Sequence, residues 1–303
     1  MAGARETGVR RTTPTGSFML LIIDSESQLD QCADACQAAI AGSTHSTRGI
    51  LAMEPTTIAI LCAASVGTAA VSAVIGMAGG IMLLAVMLLF LEPTVAIPIH
   101  ALVQLTSNSS RAVIHRKVVR RDLLYPFLLL LIPAGALTLP LVEVAPADTL
   151  RLTIGVFTIV ATWKKEWLLL GFDPERLGER ARFAWVGAGA GALGPVLGAT
   201  GPFIAPFFLG IGLNRLELIG TKAACQAGTH VAKMILFGLA GFAFLDHLPL
   251  MTGMAASVIL GTALGTSFLR RIDDARFTRL YKATLTLVAF RLVWSGLEAL
   301  AFS

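Results

Sequence analysis

Long apolar stretches alternate with short charged or proline-containing segments along most of the chain. From residue 57 onward many of these stretches approach the roughly 20 residues that an α-helix needs to cross a bilayer. The pattern predicts apolar helices over 57–75, 123–142, 150–163, 183–197, 249–269 and 278–298. We therefore expect an all-α polytopic membrane protein.

Two further apolar segments, 95–114 and 217–236, carry a polar residue at about every fourth position. The first holds His100, Gln104, Ser107, Asn108 and Arg111, and the second holds Lys222, Gln226, Thr229, His230 and Lys233. This spacing places each set along one helix face, so we call the two segments the striped helices. Each polar residue of the second follows its counterpart in the first by 122 positions, which indicates an internal repeat.

Glycines upstream of the striped helices obey the same offset. Gly67, Gly76 and Gly79 recur as Gly189, Gly198 and Gly201. Each half thus reads as a long apolar limb, a glycine-rich break, a short limb (81–91 or 203–213), a turn, the striped helix and two more helices. We assign residues 53–170 to the first membrane repeat, 171–303 to the second, and the polar residues 1–52 to an N-terminal extension outside the core.

Basic residues in the short loops predict opposite orientations for the two halves. Arg116, Lys117, Arg120 and Arg121 follow the first striped helix and mark a cytoplasmic loop, whereas FLDHLP after the second contains no Lys or Arg. Inverted repeats need an odd number of crossings each. The short limb, about 17 Å of helix, covers half a bilayer, so each half is expected to be a re-entrant, glycine-tipped hairpin plus three transmembrane helices.

The two hairpin tips and the two stripes are expected to meet at the membrane midplane. Unpaired amides at a helix start favour an anion, and neutral donors can hold one there without a permanently buried charge. The expected substrate-binding residues are Gly79, Gly80, Gln104, Ser107, Asn108, Thr200, Gly201, Gln226, Thr229 and His230. His100, Arg111, Lys222 and Lys233 are candidates for the substrate path, with Arg111 and Lys233 expected to extend towards water at their helix ends. The alternative is that the stripes only join helices by hydrogen bonds.

Composition and missing motifs narrow the function. The chain is 55% hydrophobic and 14% charged, and its net charge of +5 is dispersed between apolar segments, which argues against nucleic-acid binding. It contains no G-x-S-G, H-E-x-x-H or P-loop sequence, so neither an enzyme nor a cofactor or metal requirement is expected. A secondary transporter of a small anion is the first hypothesis. A cation, metal or other small-solute transporter, or a channel, is the alternative, although Glu92, Glu217 and Asp246 fall at predicted turns.

The segments GMAGGIMLLAVMLLFLEPTVAIPIHALVQLTSNSSR and GATGPFIAPFFLGIGLNRLELIGTKAACQAGTHVAK resemble the TauE/SafE family of bacterial membrane transporters, the sulfite exporter type. The resemblance extends over about residues 56–300. It implies a multi-pass protein of the bacterial inner membrane, with the lipid bilayer and a small sulfur-containing anion, such as sulfite or an organosulfonate, as partners. A homo-oligomer is compatible with it. The tips GMAGG and GATGP depart from the glycine run usual in the family.

Overall fold

The chain is helical throughout the part that the structure describes. The computed structural model describes residues 54–75, 79–164, 167–168, 177–208, 211–268 and 274–302. These residues contain α- and 3-10 helices and no strand, which confirms the predicted all-α class. The N-terminal extension 1–52 and Gly76 lie outside the described residues.

The helices follow the predicted order in both halves. The first half contains α1 (Pro55–Ile75), α2 (Gly79–Met87), α3 (Pro93–Ile114), α4 (Arg121–Leu129), α5 (Leu131–Val144) and α6 (Ala147–Trp163). The second contains α7 (Glu179–Leu197), α8 (Gly201–Ile204), α9 (Arg215–Leu239), α10 (Leu248–Phe268) and α11 (Asp274–Phe302), with 3-10 helices at Ala205–Phe208 and Phe244–His247. The striped helices are α3 and α9.

Among the described residues, four stretches are long and apolar enough to cross a membrane. They are Pro55–Ala73, Arg121–Val144, Phe244–Gly265 and Lys282–Ala301. Many large apolar side chains on these stretches point away from the protein; Leu137 in α5 and Leu287 in α11, for example, are 81% and 72% exposed. Such a surface suits hydrocarbon and not water, so the protein is a membrane protein.

Two proline positions explain where the helices are shorter than predicted. The single helix expected over 123–142 is divided at Leu130 because Pro133 has no N–H to offer the carbonyl of Leu129. The short limb expected over 203–213 is an α-helix only at Gly201–Ile204, and then narrows to the 3-10 helix Ala205–Phe208. Pro206 removes the bond that the carbonyl of Pro202 would accept in a continued α-helix.

The striped helices begin at well-defined caps. Asn214 accepts hydrogen bonds from the backbone N–H groups of Leu216 and Glu217, and the Glu217 carboxylate accepts one from the Asn214 N–H. Pro93 occupies the first turn of α3, and Glu92 before it pairs with Arg151 of α6 at 2.8 Å. Glu92 thus lies at the turn before α3, as predicted, whereas Glu217 lies within the first turn of α9 and Asp246 lies exposed in the 3-10 helix Phe244–His247.

The long limb of each half packs closely along a helix of the other half. Gly261 and Gly265 of α10 lie against the backbone carbonyls of Val66 and Ala70 in α1. In the same way Gly187 and Gly191 of α7 lie against Phe127 and Leu131. A Cβ at any of these glycines would overlap the facing backbone, and in each pair the two helices run in the same direction.

Corresponding helices of the two halves also pack on each other, in opposite directions. Gly155 of α6 faces Ala289 and Val293 of α11, whereas the later Gly296 faces Asp148 and Leu152 at the start of α6.

The striped helices cross in the same antiparallel sense. His100 of α3 contacts His230 of α9, and His115 at the end of α3 contacts Gly220 near the start of α9.

Candidate functional site

The polar faces of α3 and α9 meet in the interior, beside the two glycine-rich breaks. Polar side chains at 0–6% exposure occupy both faces, among them His100, Gln104, Asn108, Thr229 and His230. A bilayer or a protein core tolerates such groups only when they are paired or line a cavity. Here four of these five side chains, all but that of Thr229, border a small cavity.

This central cavity lies between the starts of the short helices and the crossing of the striped helices. Its lining residues are Ser72, Gly80, Ile81, His100, Gln104, Asn108, Arg111, Ala199, Thr200, Gly201, Pro202, Gln226 and His230. About 20 Å³ of it is free for the centre of a water-sized molecule. If roughly spherical, such a space holds a body of roughly 3 Å radius, the size of a small oxyanion.

The first break places α2 against α3. The His100 Nε2 atom lies 2.8 Å from the Gly80 carbonyl oxygen, and because a carbonyl only accepts, the ring nitrogen donates. A Cβ at Gly80 would lie 3.4 Å from the Gln104 amide group, so this amide rests directly on the start of α2. The first residues of α2, Gln104 and His100 thus form one wall of the cavity.

The second break contributes an irregular turn of backbone followed by a very short helix. Gly198 adopts φ +67, a left-handed conformation that ends α7, and the chain continues through Ala199 and Thr200 to Gly201. The Lys233 ammonium donates to the Gly198 carbonyl, while its stem packs on Gly194. The helix that starts at the second break, α8, has only four residues, whereas α2 at the first break has nine.

Arg111 is the charged side chain among the cavity-lining residues. Its guanidinium donates to the Ser72 hydroxyl at 3.1 Å, to the Ser107 hydroxyl at 3.1 Å and to the Asn108 side-chain amide oxygen Oδ1 at 3.2 Å. All these partners are neutral, and among the described residues no carboxylate is buried or lines the cavity. The positive charge of Arg111 therefore has no carboxylate partner at the cavity among the described residues.

Seven of the ten predicted substrate-binding residues line the cavity, and three have other contacts. Ser107 accepts from Arg111, and Thr229 donates to the Cys225 carbonyl of its own helix. Gly79 packs so tightly on Thr68 and Ser72 that no Cβ fits. The predicted residues that line the cavity are Gly80, Gln104, Asn108, Thr200, Gly201, Gln226 and His230.

The four candidates for the substrate path divide differently. His100 and Arg111 line the cavity, whereas Lys222 and Lys233 are buried beside it at 3% and 1% exposure. The expectation that Arg111 and Lys233 extend to water at their helix ends is wrong. Both side chains turn inward, because hydrogen-bond acceptors of the first limb and of the second break lie within their reach.

Four residues that line the cavity were not predicted from the sequence: Ser72, Ile81, Ala199 and Pro202. The repeat offset contained a signal for the first of them, because Ser72 corresponds to Gly194. Gly194 packs on the Lys233 stem, just as Ser72 contacts Arg111. Ile81, Ala199 and Pro202 lack any polar side-chain group that would have marked them.

A comparison with protein-family models matches residues 60–292 to the sulfite exporter TauE/SafE family. Searches of curated proteins and of solved structures found no match. The matched range contains both glycine-rich breaks, both striped helices and every residue that lines the cavity. The chain therefore belongs to the sulfite exporter TauE/SafE family of membrane transporters.

Proposed function

We propose that this protein is a secondary transporter that carries a small, sulfur-containing anion, such as sulfite or an organosulfonate, across the bacterial inner membrane. The anion binds in the central cavity, between the two glycine-rich breaks and near the membrane midplane. The observation that carries the proposal is the chemistry of the lining: amide donors, a guanidinium and a helix start, without a carboxylate among the described residues.

The donors suit an oxyanion. Arg111 supplies a planar guanidinium, and Gln104, Asn108 and Gln226 each carry a side-chain amide at the lining. An oxyanion has several acceptor oxygens and no donor, so it complements such a set. A metal cation would need several carboxylate or carbonyl oxygens, whereas these side chains offer more N–H donors than oxygen acceptors. The family description, sulfite exporter, supports sulfur oxyanions within this class.

Inverted repeats would give this site alternating access. The two striped helices cross antiparallel, as do α6 and α11, and each pair consists of corresponding helices of the two halves. A two-fold axis in the membrane plane relates corresponding helices in this way. Such an axis passes near the cavity, so rocking one half against the other would expose the same site first on one side and then on the other.

The glycine-rich breaks fit re-entrant tips. Gly80 lies beside His100 and Gln104, which are near the middle of α3, while α2 extends for only nine residues from there. A helix of that length covers about 13 Å, less than half the hydrocarbon core. At the second break the backbone between the limbs is irregular, and its residues Ala199 and Thr200 line the cavity, as non-helical backbone at membrane depth must if it does not face lipid.

A binding screen of the purified, detergent-solubilised protein tests the substrate class. Sulfite, thiosulfate, methanesulfonate, sulfate and acetate would be compared by calorimetry and by thermal stabilisation, with Ni²⁺ and Zn²⁺ as cation controls. We expect saturable binding of at least one sulfur oxyanion, weakened by an Arg111→Gln exchange that removes the positive charge. Binding of a metal ion and of none of the anions would contradict the proposal.

A further inference from the structure

Two histidines from antiparallel helices meet at the cavity. The rings of His100 and His230 lie 5.9 Å apart between centroids, at an interplanar angle of 74°. Both residues line the cavity, with exposures of 0% and 4%. Neither is needed to explain how the amides and Arg111 recognise an anion, so their place there calls for a separate explanation.

Each ring has a buried nitrogen without a hydrogen-bond partner. The Nε2 atom of His100 donates to Gly80, so in the neutral ring its Nδ1 atom is an acceptor, and this atom is unpaired, as is the Nδ1 atom of His230. An unmet buried polar atom is unfavourable by about 1–3 kcal/mol. A proton on such a nitrogen converts it from an acceptor into a donor. An anion in the cavity then accepts a hydrogen bond from this N–H group.

The charges around the pair decide when that proton can bind. The positive charge of Lys233 acts on both rings, and that of Arg111 acts on His230. These two charges would repel an imidazolium while the cavity is empty. Lys222 of α9 adds a third basic group beside Arg111. No described carboxylate is buried near the pair to offset them. An anion in the cavity supplies the missing negative charge.

The remaining charged groups on the helices packed against α3 and α9 lie elsewhere. Neither α2 nor α10 contains one, nor does the segment 199–208. The others lie towards the ends of their elements: Glu92, Asp148 and Arg151 at the starts of α3 and α6; His115, Arg116 and Lys117 after α3; Arg120, Arg121 and Asp122 around the start of α4; Glu143 at the end of α5; Glu179, Arg180 and Arg182 at the start of α7; Arg215 and Glu217 at the start of α9; and Asp246 and His247 after α9.

We propose that the His100–His230 pair binds one proton together with the transported anion, so that the proton is the co-substrate of this carrier. The inference rests on the proposed function of the same cavity. On binding, a proton leaves water for an imidazole nitrogen and hydrogen-bonds to the anion, with no bond between heavy atoms made or broken. A monoanion and a proton together add no net charge to the protein, so the loaded carrier reorients without moving an anion's charge alone through the hydrocarbon.

Calorimetry of anion binding tests this coupling in the purified protein. The probe is methanesulfonate, which stays fully ionised between pH 6 and 8, so any proton taken up is bound by the protein. Sulfite is measured in parallel, with its own protonation subtracted. Titrations in two buffers of different ionisation enthalpy give the number of protons bound with the anion. We expect close to one proton per anion, and affinity that falls by up to about tenfold per pH unit as pH rises.

The variants His100→Gln and His230→Gln locate the proton. Each keeps a polar side chain of similar reach but removes a titratable nitrogen, and we expect one or both to bind the anion with proton uptake reduced to less than half. The matched control is His247→Gln. His247 is equally buried, also has an unpaired Nδ1 atom and stacks on Phe242 outside the cavity, so its loss should leave the proton number unchanged.

The outcomes separate the two proposals. Anion binding without proton uptake, or full uptake in both cavity histidine variants, overturns the proton coupling and leaves the anion carrier intact. Proton uptake that disappears only in Lys233→Gln assigns the proton to the lysine and also overturns its assignment to the histidine pair. If neither methanesulfonate nor sulfite binds the wild-type protein, the proposed anion site itself fails. Detergent gel filtration of each variant confirms that it is folded.

Discussion

At the residue scale, the central cavity is lined by side-chain amides, which offer hydrogen-bond donors without charge. Gln104 rests on the start of α2, and Gln226 reaches the cavity from the antiparallel α9. Because the two occupy equivalent places in the two halves, each is expected to donate to the bound anion from its own side.

Replacing either glutamine by alanine should weaken anion binding. The anion then has one unmet hydrogen bond in a poorly hydrated site, which corresponds to about 1–3 kcal/mol, or roughly tenfold to a hundredfold in affinity. Gln104→Ala and Gln226→Ala would be compared by binding calorimetry. Ser110→Ala on α3 is the matched control, because its hydroxyl bonds only to the Thr106 carbonyl in its own helix. Wild-type affinity in both glutamine variants would assign the stripes to helix association alone.

The neighbouring glycines at the start of α2 should respond differently to alanine. A Cβ at Gly79 would overlap the Thr68 carbonyl, whereas at Gly80 it would only touch the Gln104 amide at 3.4 Å. Gly79→Ala should therefore lower stability by about 1–3 kcal/mol, as overpacking does, while Gly80→Ala keeps the fold and weakens anion binding. Thermal denaturation and calorimetry measure the two effects. Equal melting temperatures for the two variants would contradict the packing at Gly79.

Sequence predicted which residues approach the cavity better than it predicted what they contact. Helical spacing and the repeat offset placed Gln104, Asn108, Gln226 and His230 correctly, because both depend only on local geometry. The inward turn of Arg111 was not predictable, since it depends on Ser72, 39 residues away in another helix. Contacts between distant elements follow from packing, which periodicity does not encode.

At the element scale, glycine pairs let the long limbs approach their neighbours closely. Gly187 and Gly191 on α7, and Gly261 and Gly265 on α10, are spaced four residues apart and face carbonyls of the opposite half. In hydrocarbon, where burial of apolar surface adds little between helices, such close contact is a main source of association. The two pairs hold each limb, and so each break, in place.

Bulky residues at these glycines should separate the halves. Gly191→Leu and Gly261→Leu are expected to lower the melting temperature of the purified protein or to prevent its folding, since the facing atoms are backbone and cannot move aside. Gly67→Leu on α1 is the control: a Cβ there would meet nothing within 4 Å. Comparable loss of stability in all three variants would mean that the close contacts do not stabilise the fold.

Helix positions were largely predictable, and helix interruptions were not. Hydrophobic periodicity located α3 and α9 to within a few residues, because each ends at charged or turn-forming sequence. The division between α4 and α5 and the 3-10 helix after α8 arise from Pro133 and Pro206. Whether a proline kinks, breaks or merely starts a helix depends on the partners available to the freed carbonyls, which are set by the whole fold.

At the scale of the whole molecule, the main helix pairs recur when the two halves are exchanged. Each long limb packs along a helix of the other half, and α3 pairs with α9 as α6 pairs with α11. The basic residues after α3 predict that this loop is cytoplasmic. If the halves are inverted, the C-terminus then lies outside the cytoplasm. A fusion after Ser303 to alkaline phosphatase should be active, and one to a fluorescent protein that matures only in the cytoplasm should be dark. The reverse pattern would exclude inversion.

The central claim is that one cavity, reached from either side in turn, carries a sulfur oxyanion. Counterflow of ³⁵S-labelled sulfite into proteoliposomes preloaded with unlabelled sulfite tests it most directly, because only a carrier that reorients with its substrate exchanges label against a balanced pool. For the wild-type protein we expect saturable label uptake that transiently exceeds its equilibrium level and that organosulfonates inhibit by competition. For Gln104→Ala and Gln226→Ala we expect near-background uptake at matched protein levels. Uptake that does not saturate and is unaffected by preloading would indicate a channel, and uptake at the wild-type level in both glutamine variants would contradict the assigned site.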